Sequence, residues 1–145
     1  MIKISQYDPR WSKVKMTPSN LTLGRYGCTT TAICMLSDYY RCFKYPDEAI
    51  DTNIKYTQDG LIIWSLINFP KFKFAERVHG HHLAKIRESL KNPKTSVILA
   101  INNNSHWVTA CRVLGNYYLV VDPWGGKYRW IHRNIVSGSA HFLAK

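Results

Sequence analysis

The chain has 145 residues, enough for one domain over residues 1–145 and little room for two. With 46% hydrophobic residues it can build a core without disulfides or a structural metal. Twenty basic residues stand against nine acidic ones, a formal charge of +11. No apolar run nears the roughly 18 residues of a membrane span, and Gln6, Asp8, Pro9 and Arg10 stand where a secretory signal needs its apolar centre.

The expectation is a soluble protein made in the cytoplasm without a signal peptide, with lysis or carriage in a virion as its routes outward. The basic residues are spread out, and no five-residue basic block occurs. Such a field favours anionic polymers: nucleic acid, cell-wall polymer or an acidic lipid surface. It serves solubility equally well. The cysteines at 28, 34, 42 and 111 form no C-x-x-C pair, so no zinc ribbon or thioredoxin-like site is expected. Eight helical residues would hold Cys34 and Cys42 about 12 Å apart, too far for a disulfide.

Met1 to Ile4 reads as a short strand, followed by a long loop punctuated by Pro9, Pro18, Gly24 and Gly27. From Thr29 to Tyr40, Ala32, Met35, Leu36 and Tyr39 recur at helical spacing, and Cys28 falls at or just before the first turn. Gly27 can supply an unusual backbone angle before that helix. Pro46, Asp47 and Glu48 open a second, short helix. Leu61 to Ile67 reads as a short buried helix ended by Pro70, and residues 71–78 as a strand. Leu83, Ile86 and Leu90 share one face of a surface helix.

Ser96 to Ile101 suits a central strand. His106 to Val113 and Tyr117 to Val121 flank Gly115-Asn116, a hairpin signal, and residues 127–131 read as one more strand. Helices first and strands later make the class α+β with an antiparallel sheet.

Cys28 at a helix N-terminus meets partial positive charge and free N–H groups, which favour its thiolate and can face an oxyanion. Read structurally, it is a small buried apolar residue. His106 opens one strand and Asp122 ends the next. A turn centred near residue 115 makes them cross-strand neighbours, and a carboxylate there would fix the imidazole tautomer. His79, His81 and His82 read as a solvated loop rather than a metal site, and no metal or other cofactor is expected. Trp107 and Trp124 are candidates for a substrate groove, with core packing as the alternative.

The blocks Gln6-Tyr7-Asp8-Pro9-Arg10-Trp11, Gly24 to Met35 around Cys28, His106-Trp107-Val108 and Asp122-Pro123-Trp124-Gly125-Gly126 together resemble the C39-like peptidases, a branch of the papain-like cysteine peptidases. The resemblance implies a papain-like fold, with a helix carrying the cysteine packed on an antiparallel sheet. It also implies a catalytic triad of Cys28, His106 and Asp122. The oxyanion glutamine, usually some six residues before the cysteine, is absent there, since Thr22 holds that position. Gln6 resembles the family's N-terminal glutamine and takes that role by the same likeness. The implied activity is amide or peptide hydrolysis through an acyl-enzyme. The substrate would be a peptide or, for a phage-type or bacterial enzyme, peptidoglycan. The alternative is a basic, non-catalytic module that binds nucleic acid or another anionic polymer on the same fold.

Overall fold

Two helices meet at Gly27 in the computed structural model, which describes residues 1–145: α1 (Leu23–Tyr26) and α2 (Cys28–Tyr39). Gly27 is there for space rather than for its angle. Its φ of −90° suits any residue, but a Cβ would lie 2.9 Å from the Leu23 Cα and closer still to the Leu23 carbonyl oxygen. Glycine alone lets α1 butt against the start of α2. Ala32, Ile33, Met35 and Leu36 are fully buried along α2. The Thr109 hydroxyl donates to the Ala32 carbonyl at 2.9 Å, tying the helix to the sheet.

The short α3 (Pro46–Ala49) follows, with Pro46 in its first turn as the sequence predicts. Then come β1 (Phe72–His79), α4 (Leu83–Lys91), β2 (Thr95–Ile101), β3 (His106–Leu114), β4 (Tyr117–Asp122), β5 (Lys127–His132) and β6 (Val136–Ala144). The six strands form one antiparallel sheet in the order β1-β6-β2-β3-β4-β5. Helix α2 covers one face, over Ile98, Ala100, Val121 and Phe142. Helix α4 covers the other, over Val97, Leu99, Val108 and Val120. Covered on both sides, β2 is apolar at successive positions rather than alternately. No helix is long and apolar enough to cross a membrane.

Two expectations fail, and one strand had no expectation at all. Met1 to Ile4 is not a strand, because its backbone joins no ladder. Leu61 to Ile67 is not a buried helix. Only a 3₁₀ turn at Trp64–Leu66 forms, and Leu61 is 67% exposed. Leu61, Ile62 and Trp64 line a surface cleft and Ile67 enters the core, so the apolar residues of the segment are divided between two surroundings. Strand β6 went unread because Ser137, Gly138 and Ser139 hide its strand pattern, yet it fills the gap between β1 and β2.

The β4–β5 turn is pressed on the N-terminal segment. Gly126 has φ +63°, and a Cβ there would lie 2.9 Å from the Ile4 carbonyl carbon. Gly115 has a similar φ of +58° with nothing within 4 Å. Gly115→Ala should therefore cost only the left-handed backbone penalty, about 1 kcal/mol. Gly126→Ala should cost about 2–3 kcal/mol by adding steric displacement. Urea denaturation of the two variants compares them, and equal losses would show that the close approach carries no energy.

Candidate active site

Cys28 is the first residue of α2, half-buried, and its backbone N–H finds no acceptor in the protein. That N–H and the helix dipole are available to negative charge at this point. Burial pushes the Cys28 thiol up, but His106, the Trp107 backbone and the Thr29 hydroxyl outweigh it, and the net shift is downward.

His106 enters β3 from a turn in which Asn102, Asn103 and Asn104 all take left-handed angles, φ 53°, 57° and 64°. Asparagine tolerates that region better than most residues. The turn is fastened to β6: the Asn104 N–H donates to Ser137 Oγ at 2.8 Å, and that hydroxyl donates to Asn104 Oδ1 at 3.0 Å. It delivers a ring that is 1% exposed.

The His106 Nε2 donates to Asp122 Oδ1 at 2.6 Å. The same carboxylate accepts from the Trp124 N–H at 2.9 Å and from Arg129 Nη1 at 2.8 Å. The predicted neighbours therefore do meet, but on a diagonal. The observed register pairs Thr109 with Val121, which continued sets Asp122 against Val108. Burial works against the charge on His106, and Asp122 and Cys28 reverse it, raising the imidazolium to about 9. Burial likewise raises the Asp122 carboxyl, and His106, the Trp124 N–H and Arg129 bring it below its ordinary value. With Nε2 engaged, Nδ1 is the nitrogen left for Cys28. The thiol is close enough to favour the ring's protonation, while Nδ1 has no hydrogen-bond partner.

Trp124 stacks on the His106 ring, with centroids 4.0 Å apart at 24°. It roofs the imidazole with its other face exposed, while the lining of the cleft at Cys28 is made by other residues. The bond from its own N–H to Asp122 turns it that way. Trp107 does line the cleft of about 660 Å³ that opens at Cys28. Gln6 is buried beside these groups. Its N–H donates to the Pro123 carbonyl at 2.9 Å and its side-chain Nε2 to the Gly24 carbonyl at 3.1 Å. One amide hydrogen stays free and Oε1 is unpartnered.

His79, His81 and His82 diverge. His79 reaches the cleft, His81 bonds the Tyr118 hydroxyl at 2.6 Å, and His82 Nε2 meets the His79 carbonyl at 3.2 Å. Nowhere do three His, Cys, Asp or Glu side chains converge as a metal would require. All four cysteines are free thiols. Sequence reasoning missed Arg129 and the cleft residue Arg77. The tight turn after Asp122 hinted at the first, which lies on the next strand. Nothing local marked the second.

This arrangement is a thiol at a helix N-terminus and an imidazole–carboxylate pair at the end of a two-sided antiparallel sheet, in a papain-like α+β fold. Among solved structures, the crystal structure of a double glycine motif protease from an AMS/PCAT transporter, in complex with the leader peptide, superposes with a TM-score of 0.54. The match covers 81% of this chain and 84% of that one, at 18% sequence identity. The fold is thus that of a C39 peptidase domain, as the sequence resemblance implied. No family model and no curated protein matches the chain in sequence.

The geometry sets an order of thiol reactivity. Burial raises the thiols of Cys34 and Cys111, whereas Cys28 is lowered. At pH 6.5 iodoacetamide should alkylate Cys28 at least about tenfold faster than Cys111, with Cys34 slowest. Peptide mapping by mass spectrometry reads the order, and equal rates at Cys28 and Cys111 would contradict an activated thiol.

Proposed function

We propose that this protein is a cysteine peptidase in which Cys28 is the nucleophile, His106 the acid–base and Asp122 the group that orients and charges the imidazole. The observation that carries the reading is the buried 2.6 Å contact between His106 and Asp122, with the remaining ring nitrogen left for a thiol at the start of α2. The likeness to a double glycine motif protease supports peptide as the substrate class.

In the reaction the Cys28 Sγ attacks the scissile carbonyl carbon and a C–S bond forms. The carbonyl oxygen becomes an oxyanion, facing the Cys28 N–H and the free amide hydrogen of Gln6. As it collapses, the C–N bond breaks and His106 gives its Nδ1 proton to the leaving amine. Water then attacks the thioester, His106 taking one proton, and the carboxylic acid leaves as Sγ is regenerated. Trp124 over the ring and Arg129 on Asp122 keep water from loosening the pair. Peptidoglycan stem peptides belong to the same bond class, and the charge of +11 suits an anionic wall.

The test is hydrolysis of unfolded casein and of purified cell wall. Cys28→Ala should abolish cleavage of whichever substrate is used, and retained cleavage would end the proposal. The expected pH profile is a bell. Its acid limb is protonation of the lowered thiolate, and its alkaline limb is loss of the His106 proton near 9. The raised folded value means the charged ring's contribution to stability is complete below its ordinary 6.5 and is lost as pH rises through about 9. Asp122→Asn keeps an acceptor for Nε2 but removes the charge. Its alkaline limb should move toward neutral pH, and an unmoved limb would deny Asp122 its electrostatic role.

A further inference from the structure

Arg77 is an arginine with no acid to answer it. It sits on β1, partly buried, on the wall of the Cys28 cleft. The guanidinium lies over the Trp107 ring, 4.7 Å from its centroid. One nitrogen, Nη1, donates to the Val78 and Ser139 carbonyls. Nη2 and Nε have no acceptor in the protein. The opposite strand makes room for this group, since a Cβ at Gly138 would lie 2.5 Å from Nη1. Arg77 is in no ion pair, and burial is the one influence that shifts it, lowering its pKa. The cleft's one carboxylate, Asp59, is exposed and forms no salt bridge with it.

Packing that fixes a guanidinium's plane while leaving Nη2 and Nε without an acceptor is the arrangement that can receive a carboxylate in two parallel hydrogen bonds. His79 and Asn104 line the same cleft and add donors without negative charge. We infer that Arg77 forms an anion-selecting subsite of this cleft, taking the carboxylate of an acidic residue a fixed number of positions from the scissile bond. This deepens the peptidase reading and rests on it for the identity of the bond cut. The binding itself does not depend on turnover.

The test uses the full chain as Cys28→Ala, so that no peptide is consumed. Acetylated Gly-Ala hexapeptide amides carry one Glu walked through the six positions, with Gln as the neutral reference at each, and calorimetry reads affinity. At one position the Glu peptide should bind about tenfold more tightly than its Gln partner. Adding Arg77→Gln should erase that preference, and Arg77→Lys should restore part of it. If Arg77→Gln does not fold, raising NaCl from about 50 to about 500 mM should narrow the preference in Cys28→Ala itself. No Glu preference at any position, or one that survives Arg77→Gln, overturns the inference. Wild-type protein that cleaves casein with no acidic preference would sink the subsite and spare the peptidase reading. Arg77-dependent binding without any cleavage would do the reverse.

Discussion

A carboxylate that is 3% exposed must be held by donors or it will take a proton. Asp122 is held by three: the His106 ring, the Trp124 backbone and the Arg129 guanidinium. Each comes from a different stretch of chain, so the charge at Asp122 gathers the start of β3, the turn after β4 and the middle of β5. The Cys28 thiol is then brought to the ring from the other layer. Thr109, three residues along from His106, bonds the backbone of α2 one turn in from Cys28. Gly27 lets α1 close against the same helix end. Removing the carboxylate would leave Cys28 as the one group favouring a charged imidazole against its burial.

His141 gives the internal control for that statement. It too is buried, at 4% exposure, but its ring nitrogens bond only the hydroxyls of Ser89 at 2.7 Å and Ser139 at 2.8 Å. Burial, helped by the Lys85 ammonium, then prevails over the opposing Glu76, and its pKa falls to about 4. Two histidines in one sheet thus differ in protonation at neutral pH. Desolvation acts on both in the same direction, and the difference lies in their neighbours: Asp122 and Cys28 favour the charged form of His106, whereas His141 has hydroxyl partners and the Lys85 ammonium nearby. His141 stays neutral and joins β6 to α4, while His106 stays cationic.

Local signals made much of the fold readable. The helical spacing after Cys28, the Pro46 turn, the face of α4, the apolar run of β2 and the Gly115-Asn116 hairpin all depend on neighbours in sequence. From the hairpin alone His106 and Asp122 could be brought to one end, and only the diagonal offset escaped, because the hairpin closes on Leu114 and Tyr117 and the bulge between Ala110 and Arg112 takes back only one residue of the resulting offset. Contacts between distant segments were not readable. The pairing of β6 with β1 and β2, the seat of Arg77 against Gly138, and the bond from Gln6 to Gly24 have no local mark. Leu61 to Ile67 was misread because an apolar cleft wall and an apolar core helix share one composition. The blocks around Cys28, His106 and Asp122 carried the family resemblance, yet they said nothing of Trp124 lying on the ring.

The position of β6 has a further consequence. It is the last strand in sequence but lies between β1 and β2, with Phe72 paired to Ala144 and Ile98 to Ala140. Until residues 136–144 emerge during synthesis, β1 has no strand partner and the Asn102–Asn104 turn lacks the Ser137 hydroxyl that steadies it. Loop-closure entropy makes such a distant pairing slow relative to the local hairpins. The ring of His106 therefore gains its final footing only once residues 136–144 have joined the sheet beside the turn that carries it.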